Sequence, residues 1–113
     1  MDFDQRPWGN YKILLTERDC QVKRIEILPH ARFSLQKHAR RAERWIVIAG
    51  SGVATVGKKK RPVSPGSYIE VPRGEVHRME NTGEKPLVFI EVQNGDYLGE
   101  DDIVRLEDDF HRT

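Results

Sequence analysis

The 113-residue sequence predicts an all-β domain, a small barrel made of two sheets. Three observations lead there. Short apolar runs recur at a spacing of about ten residues. Gly- and Pro-rich turns separate them. No stretch sustains the 3.6-residue period of an amphipathic helix.

The runs follow in order. Residues 11–15 (Tyr-Lys-Ile-Leu-Leu) make a short first strand. Residues 21–28 alternate imperfectly, with Ile25 and Ile27 on one face. Residues 32–38 alternate again and put Ser34, Gln36 and His38 on one face. Trp45-Ile-Val-Ile48 ends in the turn Ala49-Gly-Ser-Gly52, and Val53–Val56 follows. The basic run Lys58-Lys-Lys-Arg61 then reads as a solvated hairpin tip. Pro65-Gly66 turns the chain into Ser67–Val71, which Pro72 stops. Residues 87–93 (Leu-Val-Phe-Ile-Glu-Val-Gln) are the strongest strand. In the tail, Ile103, Leu106 and Phe110 have the spacing of a short amphipathic helical turn. We expect one domain over 1–113, with its core at about 10–95 and a C-terminal extension at about 96–113.

Lys and Arg number 19 against 18 Asp and Glu, a net charge of +1. That balance excludes a whole-molecule attraction to nucleic acid or an anionic membrane, and neither is expected as a partner. The single cysteine, Cys20, cannot form an internal disulfide and reads as a small buried hydrophobe. No apolar run approaches the about 18 residues of a membrane span, so a cytoplasmic protein is expected. Trp8 and Trp45 are expected in the core or at its rim, His30 and His111 on the surface, and Asp101-Asp102 in an acidic surface turn.

Two spaced motifs carry chemistry. The first reads His30, Gln36, His38, Glu43, Gly50 and keeps every spacing of the pattern G-x5-H-x-H-x4-E-x6-G. His30 replaces its opening Gly and Gln36 its first His. The second reads Gly66, Pro72, Gly74, His77, Asn81 and matches G-x5-P-x-G-x2-H-x3-N at each fixed position. Residues two apart on a strand share a face, a turn and return strand bring Glu43 back to it, and the Pro-x-Gly turn aims His77 inward. Gln36, His38, Glu43 and His77 thus form an N/N/O/O set for one divalent metal, with Asn81 fixing the turn after His77. Zn²⁺, Mn²⁺, Fe²⁺ and Co²⁺ all suit such donors.

These are the cupin motifs, and the wider sequence resembles the cupin domain of type II mannose-6-phosphate isomerase. In bacteria that domain is often the C-terminal part of a fused mannose-1-phosphate guanylyltransferase. The matching segments include Arg6-Pro-Trp-Gly-Asn-Tyr11, Ser34-Leu-Gln-Lys-His38, Arg41-Ala-Glu-Arg-Trp45, Val71-Pro-Arg-Gly-Glu-Val-His77 and the long run Ile90–Arg105. The resemblance implies a cupin double-stranded β-helix (jelly-roll) fold. It implies a metal-dependent aldose–ketose isomerisation of mannose 6-phosphate and fructose 6-phosphate, with Zn²⁺ the first choice. It also accounts for Gln36, because a Gln-His-Glu-His set is usual in phosphomannose isomerases. The chain has no Gly-rich, basic nucleotidyltransferase segment, so a free-standing or excised domain without guanylyltransferase activity is expected.

Isomerisation needs a base near C1 and C2. Glu91 and Lys23 are the candidates, with Arg105 as a charge stabiliser. Glu91 shares a face with Phe89 and with Gln93, a candidate substrate contact, but either face of that strand can be the inner one. The family's His-rich stretch is here occupied by Lys37, Ala39, Arg40 and Arg44. Arg40 and Arg44 are the candidates for holding a sugar phosphate, since guanidinium matches phosphate bidentately. The altered shell keeps open a non-catalytic sugar- or nucleotide-sugar-binding metal cupin, and a metal-cupin oxygenase is a further rival. A homodimer is expected by analogy with other open-ended barrels.

Overall fold

The computed structural model describes residues 2–110, and of Asp2 the backbone alone. Among the described residues there are eleven strands: β1 (Asp2–Arg6), β2 (Gly9–Thr16), β3 (Cys20–Ile27), β4 (Leu35–Lys37), β5 (Arg41–Ala49), β6 (Gly52–Val56), β7 (Lys59–Val63), β8 (Tyr68–Val71), β9 (His77–Asn81), β10 (Leu87–Gly95) and β11 (Val104–Glu107). They form a six-stranded sheet, β1-β2-β3-β10-β5-β8, and a five-stranded sheet, β11-β4-β9-β6-β7. Every pairing is antiparallel. Among the described residues there is no helix long and apolar enough to cross a membrane.

The tail differs from its expected helical turn. Residues 104–107 form β11, which pairs with β4 at the sheet edge. Edge pairing satisfies backbone groups that an isolated helical turn would leave to water. Both sheets therefore reach beyond the 10–95 core, through β1 at one end and β11 at the other. Lys58 sits at the β6–β7 hairpin tip as expected, but Lys59, Lys60 and Arg61 run on into β7. Cys20 is half-buried at the start of β3 rather than enclosed.

Alternation decides what faces inward. Arg41, Glu43, Trp45 and Val47 of β5 are buried, while Arg44, Ile46 and Ile48 between them are exposed. On β10 Leu87, Phe89, Glu91 and Gln93 are buried on one face, and Val88 near the strand start is enclosed as well. This settles the face that the sequence left open, and Glu91 points in. Register then sorts the interior into two zones. Phe89, Ile25 and Val47 align across β10, β3 and β5, next to Leu87, Ile27 and Met79 in an apolar zone. Further along the same strands, Glu91 aligns with Lys23 and Trp45, and Gln93 aligns with Glu43. One end of the barrel is hydrocarbon and the other carries buried charge. Trp45 is fully buried at the boundary, its ring 5.4 Å from Phe89 and 5.7 Å from His77 between centroids.

Candidate metal centre and cavity

The two motifs meet in the polar zone. The Gly74 N–H donates to the His38 carbonyl at 2.8 Å, tying the turn before His77 to the strand end that carries His38. Gly50, Gly66 and Gly74 all take positive φ, and His30 takes φ 61° in the place of the motif's remaining glycine. Asn81 fixes its turn as expected: its amide donates to the carbonyls of Ile27 and Lys85, and its oxygen accepts from the Gly83 N–H. His30 is exposed as expected, and His111 lies outside the described residues.

His38, Glu43 and His77 are buried, and each offers a ligand atom within 4.8 Å of the others. His38 Nε2 lies 3.4 Å from Glu43 Oε2, and His77 Nε2 lies 3.7 Å from Glu43 Oε1. Both rings have Nδ1 against a backbone carbonyl, Asp102 O at 2.5 Å for His38 and Glu75 O at 3.0 Å for His77. A carbonyl can only accept, so Nδ1 carries the proton and each Nε2 presents a lone pair inward, the tautomer a metal ligand needs. Burial holds the His38 pKa below its ordinary value, which keeps that ring neutral. His77 Nε2 is buried with no hydrogen-bond partner, opposite a carboxylate that also only accepts. A cation beside His77 Nε2 and the Glu43 carboxylate would supply the partner that this nitrogen lacks, so these residues fit a divalent ion. Gln36 stands opposite His77 in the β4–β9 pairing and accepts from Ser34 Oγ at 3.1 Å.

Arg41 is the residue that sequence reasoning missed. Its guanidinium is buried, 2.9 Å from Glu43 Oε2 and 3.1 Å from His38 Nε2, and its Nη1 reaches Glu100 Oε2 at 3.3 Å. The available signal was its place two residues before Glu43, on the same strand face.

A cavity of about 130 Å³ opens beside the cluster, lined by Gln36, Arg41, Lys23, Glu91, Glu100 and Arg105 among others. Trp45 Nε1–H is shared between Glu43 Oε1 at 3.0 Å and Glu91 Oε2 at 3.2 Å, and Gln93 donates to Glu91. The two carboxyls titrate in opposite directions. Burial alone would raise Glu43, but the groups that face it, His77, Arg41 and His38, outweigh burial and hold it below the usual carboxylate range, with the Arg41 guanidinium the permanent positive charge among them. Burial, then the Glu43 charge, push Glu91 up to about 8. One carboxyl is held ionised, and the other keeps its proton up to higher pH.

Lys23 is buried, with Nζ 2.8 Å from Glu100 Oε2 and 4.1 Å from the centre of the Tyr11 ring. Arg105 lines the cavity across β4 from His77. Arg40 and Arg44 do not join them. Arg40 is exposed, paired with Asp96 at 3.2 Å and stacked on Tyr97, and Arg44 lies on the outer face of β5, donating to Asn94 at 2.9 Å. Alternation along β5 turns Arg44 outward for the same reason that it turns Glu43 inward.

A two-sheet antiparallel barrel with an interior His/Glu cluster is a cupin, a double-stranded β-helix. Solved structures share that fold. CapF, a capsular polysaccharide assembling protein of Staphylococcus aureus, superposes with a TM-score of 0.83 and 22% identity over 93% of this chain and 34% of its own. KdgF from Halomonas sp. superposes with a TM-score of 0.79 and 20% identity over 89% of this chain and 90% of its own. The family model for the mannose-6-phosphate isomerase C-terminal domain matches residues 3–108, and the chain belongs to that family. Xanthan biosynthesis protein XanB of Xanthomonas campestris pv. campestris is 47% identical over 108 residues, 96% of this chain and 23% of the relative. Alginate biosynthesis protein AlgA of Pseudomonas aeruginosa is also 47% identical, over 96% of this chain and 22% of AlgA. A mannose-1-phosphate guanylyltransferase of Klebsiella pneumoniae is 40% identical, over 95% and 23%. The chain therefore spans about a quarter of the curated relatives it matches.

Proposed function

We propose that this chain is a metal-dependent phosphosugar isomerase domain that interconverts mannose 6-phosphate and fructose 6-phosphate. The observation that carries this reading is the contact between the proton carrier and the metal cluster, since one indole N–H bridges Glu91 and Glu43. His38 Nε2, His77 Nε2, Glu43 and Gln36 would hold the ion, Zn²⁺ first and Mn²⁺, Co²⁺ or Fe²⁺ by the same donor chemistry. When bound, it supplies Lewis-acid polarisation of the sugar's carbonyl and hydroxyl oxygens.

The chain's own residues do the rest. Glu91, as a carboxylate, takes the C2 proton of the open-chain aldose and leaves an enediolate. As the acid, it returns that proton to C1, while the hydroxyl proton passes from O2 to O1, so one group serves both carbon steps and the protons balance. Lys23 and Arg105 supply positive charge for the substrate's anionic oxygens. Gln93 donates to Glu91 and orients its carboxyl. The rival reading, a non-catalytic sugar-binding cupin, drew on Arg40 and Arg44, which face away from the cavity. A second copy of the chain belongs to the same proposal. Ile46 and Tyr68, cross-strand partners each 45% exposed, and Ile48 offer it an apolar strip, and sedimentation equilibrium tests the pairing.

The test is a coupled assay of mannose 6-phosphate conversion with stripped and metal-refilled protein. His77→Ala is expected to abolish metal-dependent turnover, and Glu91→Gln to lower it by a factor of about 10² to 10⁴ with the metal still bound. A folded, metal-loaded chain that is silent with every ion overturns the isomerase reading.

A further inference from the structure

We propose that Lys23 and Arg41 form a binding site for a phosphate dianion, and that the Glu100 carboxylate fills this site until a phosphorylated ligand displaces it. The inference deepens the isomerase reading and rests on it only for the identity of the sugar.

The argument begins with two buried cations. The side chains of Lys23 and Arg41 are each 4% exposed. Ammonium and guanidinium groups so deeply enclosed are strongly destabilising without an anion beside them. Arg41 has one in Glu43, but Lys23 does not have that contact. Among the described residues, the ion pair of Lys23 is with Glu100, Nζ to Oε2 at 2.8 Å, and Arg41 Nη1 approaches that same oxygen at 3.3 Å. A single carboxylate oxygen thus serves two cations set on different strands, β3 and β5, on either side of β10.

The three groups are anchored differently. Lys23 and Arg41 are fixed by paired strands, and the Lys23 ammonium is further held over the Tyr11 ring. Glu100 reaches in from the connection between β10 and β11, with its side chain 46% exposed. Withdrawal of Glu100 moves a half-exposed side chain and leaves both cations in place but Lys23 without its ion pair, so it is favourable only when another anion takes the position. The vacated position opens on the cavity that Glu91 and Gln36 also line. A phosphate offers three terminal oxygens and up to two negative charges, so it can serve both cations with separate oxygens where the carboxylate shares one. The arrangement replaces Arg40 and Arg44, whose side chains never reach the cavity, as the anion-recognising element.

An internal anion that occupies the site lowers apparent affinity by the fraction of time it is bound. That sets the sign of the test. Inorganic phosphate is titrated calorimetrically into the metal-free chain with EDTA present, so that no metal–phosphate contact contributes. Glu100→Gln, which keeps the shape and removes the charge, is expected to bind phosphate about tenfold more tightly than the wild type. Lys23→Met is expected to bind it about tenfold more weakly. Mannose 6-phosphate should follow phosphate through both variants, and mannose should ignore them. Phosphate affinity unchanged in Glu100→Gln overturns the proposal. So does Lys23→Met protein that binds phosphate as well as the wild type; should Lys23→Met fail to fold, Glu100→Gln alone decides. Turnover of the metal-loaded chain is measured in parallel. An active isomerase with unmoved phosphate affinities overturns the anion site alone. A chain whose phosphate affinities shift as stated but which never isomerises keeps the anion site and overturns the isomerase reading.

Discussion

His30 holds a left-handed backbone, φ 61°, where the first motif is otherwise opened by glycine. Its imidazole pairs with Glu84 at 2.8 Å, but both side chains are well exposed, and such a pair stabilises little. The left-handed conformation costs an L-residue about 1–2 kcal/mol, against about 0.5–1 kcal/mol for the extra freedom of an unfolded glycine. His30→Gly is therefore expected to raise stability by up to about 1 kcal/mol, read as a higher urea midpoint at unchanged slope; a lower midpoint would contradict the strain argument. Trp45 gives the opposite prediction. Its N–H is the donor common to Glu43 and Glu91, and Trp45→Phe leaves two buried carboxyls facing each other without it. A loss of about 2 kcal/mol is expected in denaturant unfolding of the metal-free chain.

Strand contacts are tight enough that backbone spacing, not side-chain volume, decides some positions. A Cβ on Gly52 would lie 2.1 Å from the Glu80 carbonyl oxygen, which belongs to the neighbouring strand β9. Gly52→Ala is expected to cost about 3 kcal/mol and to accelerate amide exchange along β6 and β9 before it does so in β3 and β10. At this scale the sequence was legible where the two-residue period was clean. It gave β10 nearly to its end but only the second half of β5, and the motif spacing brought His38, Glu43 and His77 to one point. It was mute where both faces of a strand carry plausible core residues. Glu91 shares its face with Phe89, and only pairing with β3 and β5 makes that face internal. The tail was misread because Ile103, Leu106 and Phe110 have helical spacing, and edge pairing with β4 overrode it. β1 lay beyond reach, since Asp2–Arg6 is polar and becomes a strand only by pairing with β2. Arg41 was overlooked because charged residues are expected outside, although its neighbours' alternation placed it within.

Across the whole molecule, the charged end of the barrel gives stability a pH dependence. Burial would raise the Glu100 carboxyl, but Lys23 and Arg41 outweigh it and hold it below its ordinary value. A carboxyl depressed on folding stabilises above its unfolded pKa, about 4.3, and the contribution fades as pH falls through the folded value. The difference in melting temperature between wild type and Glu100→Gln should therefore be fully present at pH 6 to 7 and shrink as pH falls below about 4. A difference that persists unchanged at pH 3 would mean that the Glu100 charge is not what the pair contributes. The split interior described above has a wider consequence. Leu87, Phe89, Ile27 and Met79 form hydrocarbon core at one end, while Glu43, Glu91, Lys23 and Arg41 carry buried charge beside the cavity at the other. Changes in the first group act on the fold alone, whereas changes in the second act on stability and on what the cavity can bind. A lineage built this way can explore new ligands at one pole while the other keeps each trial folded.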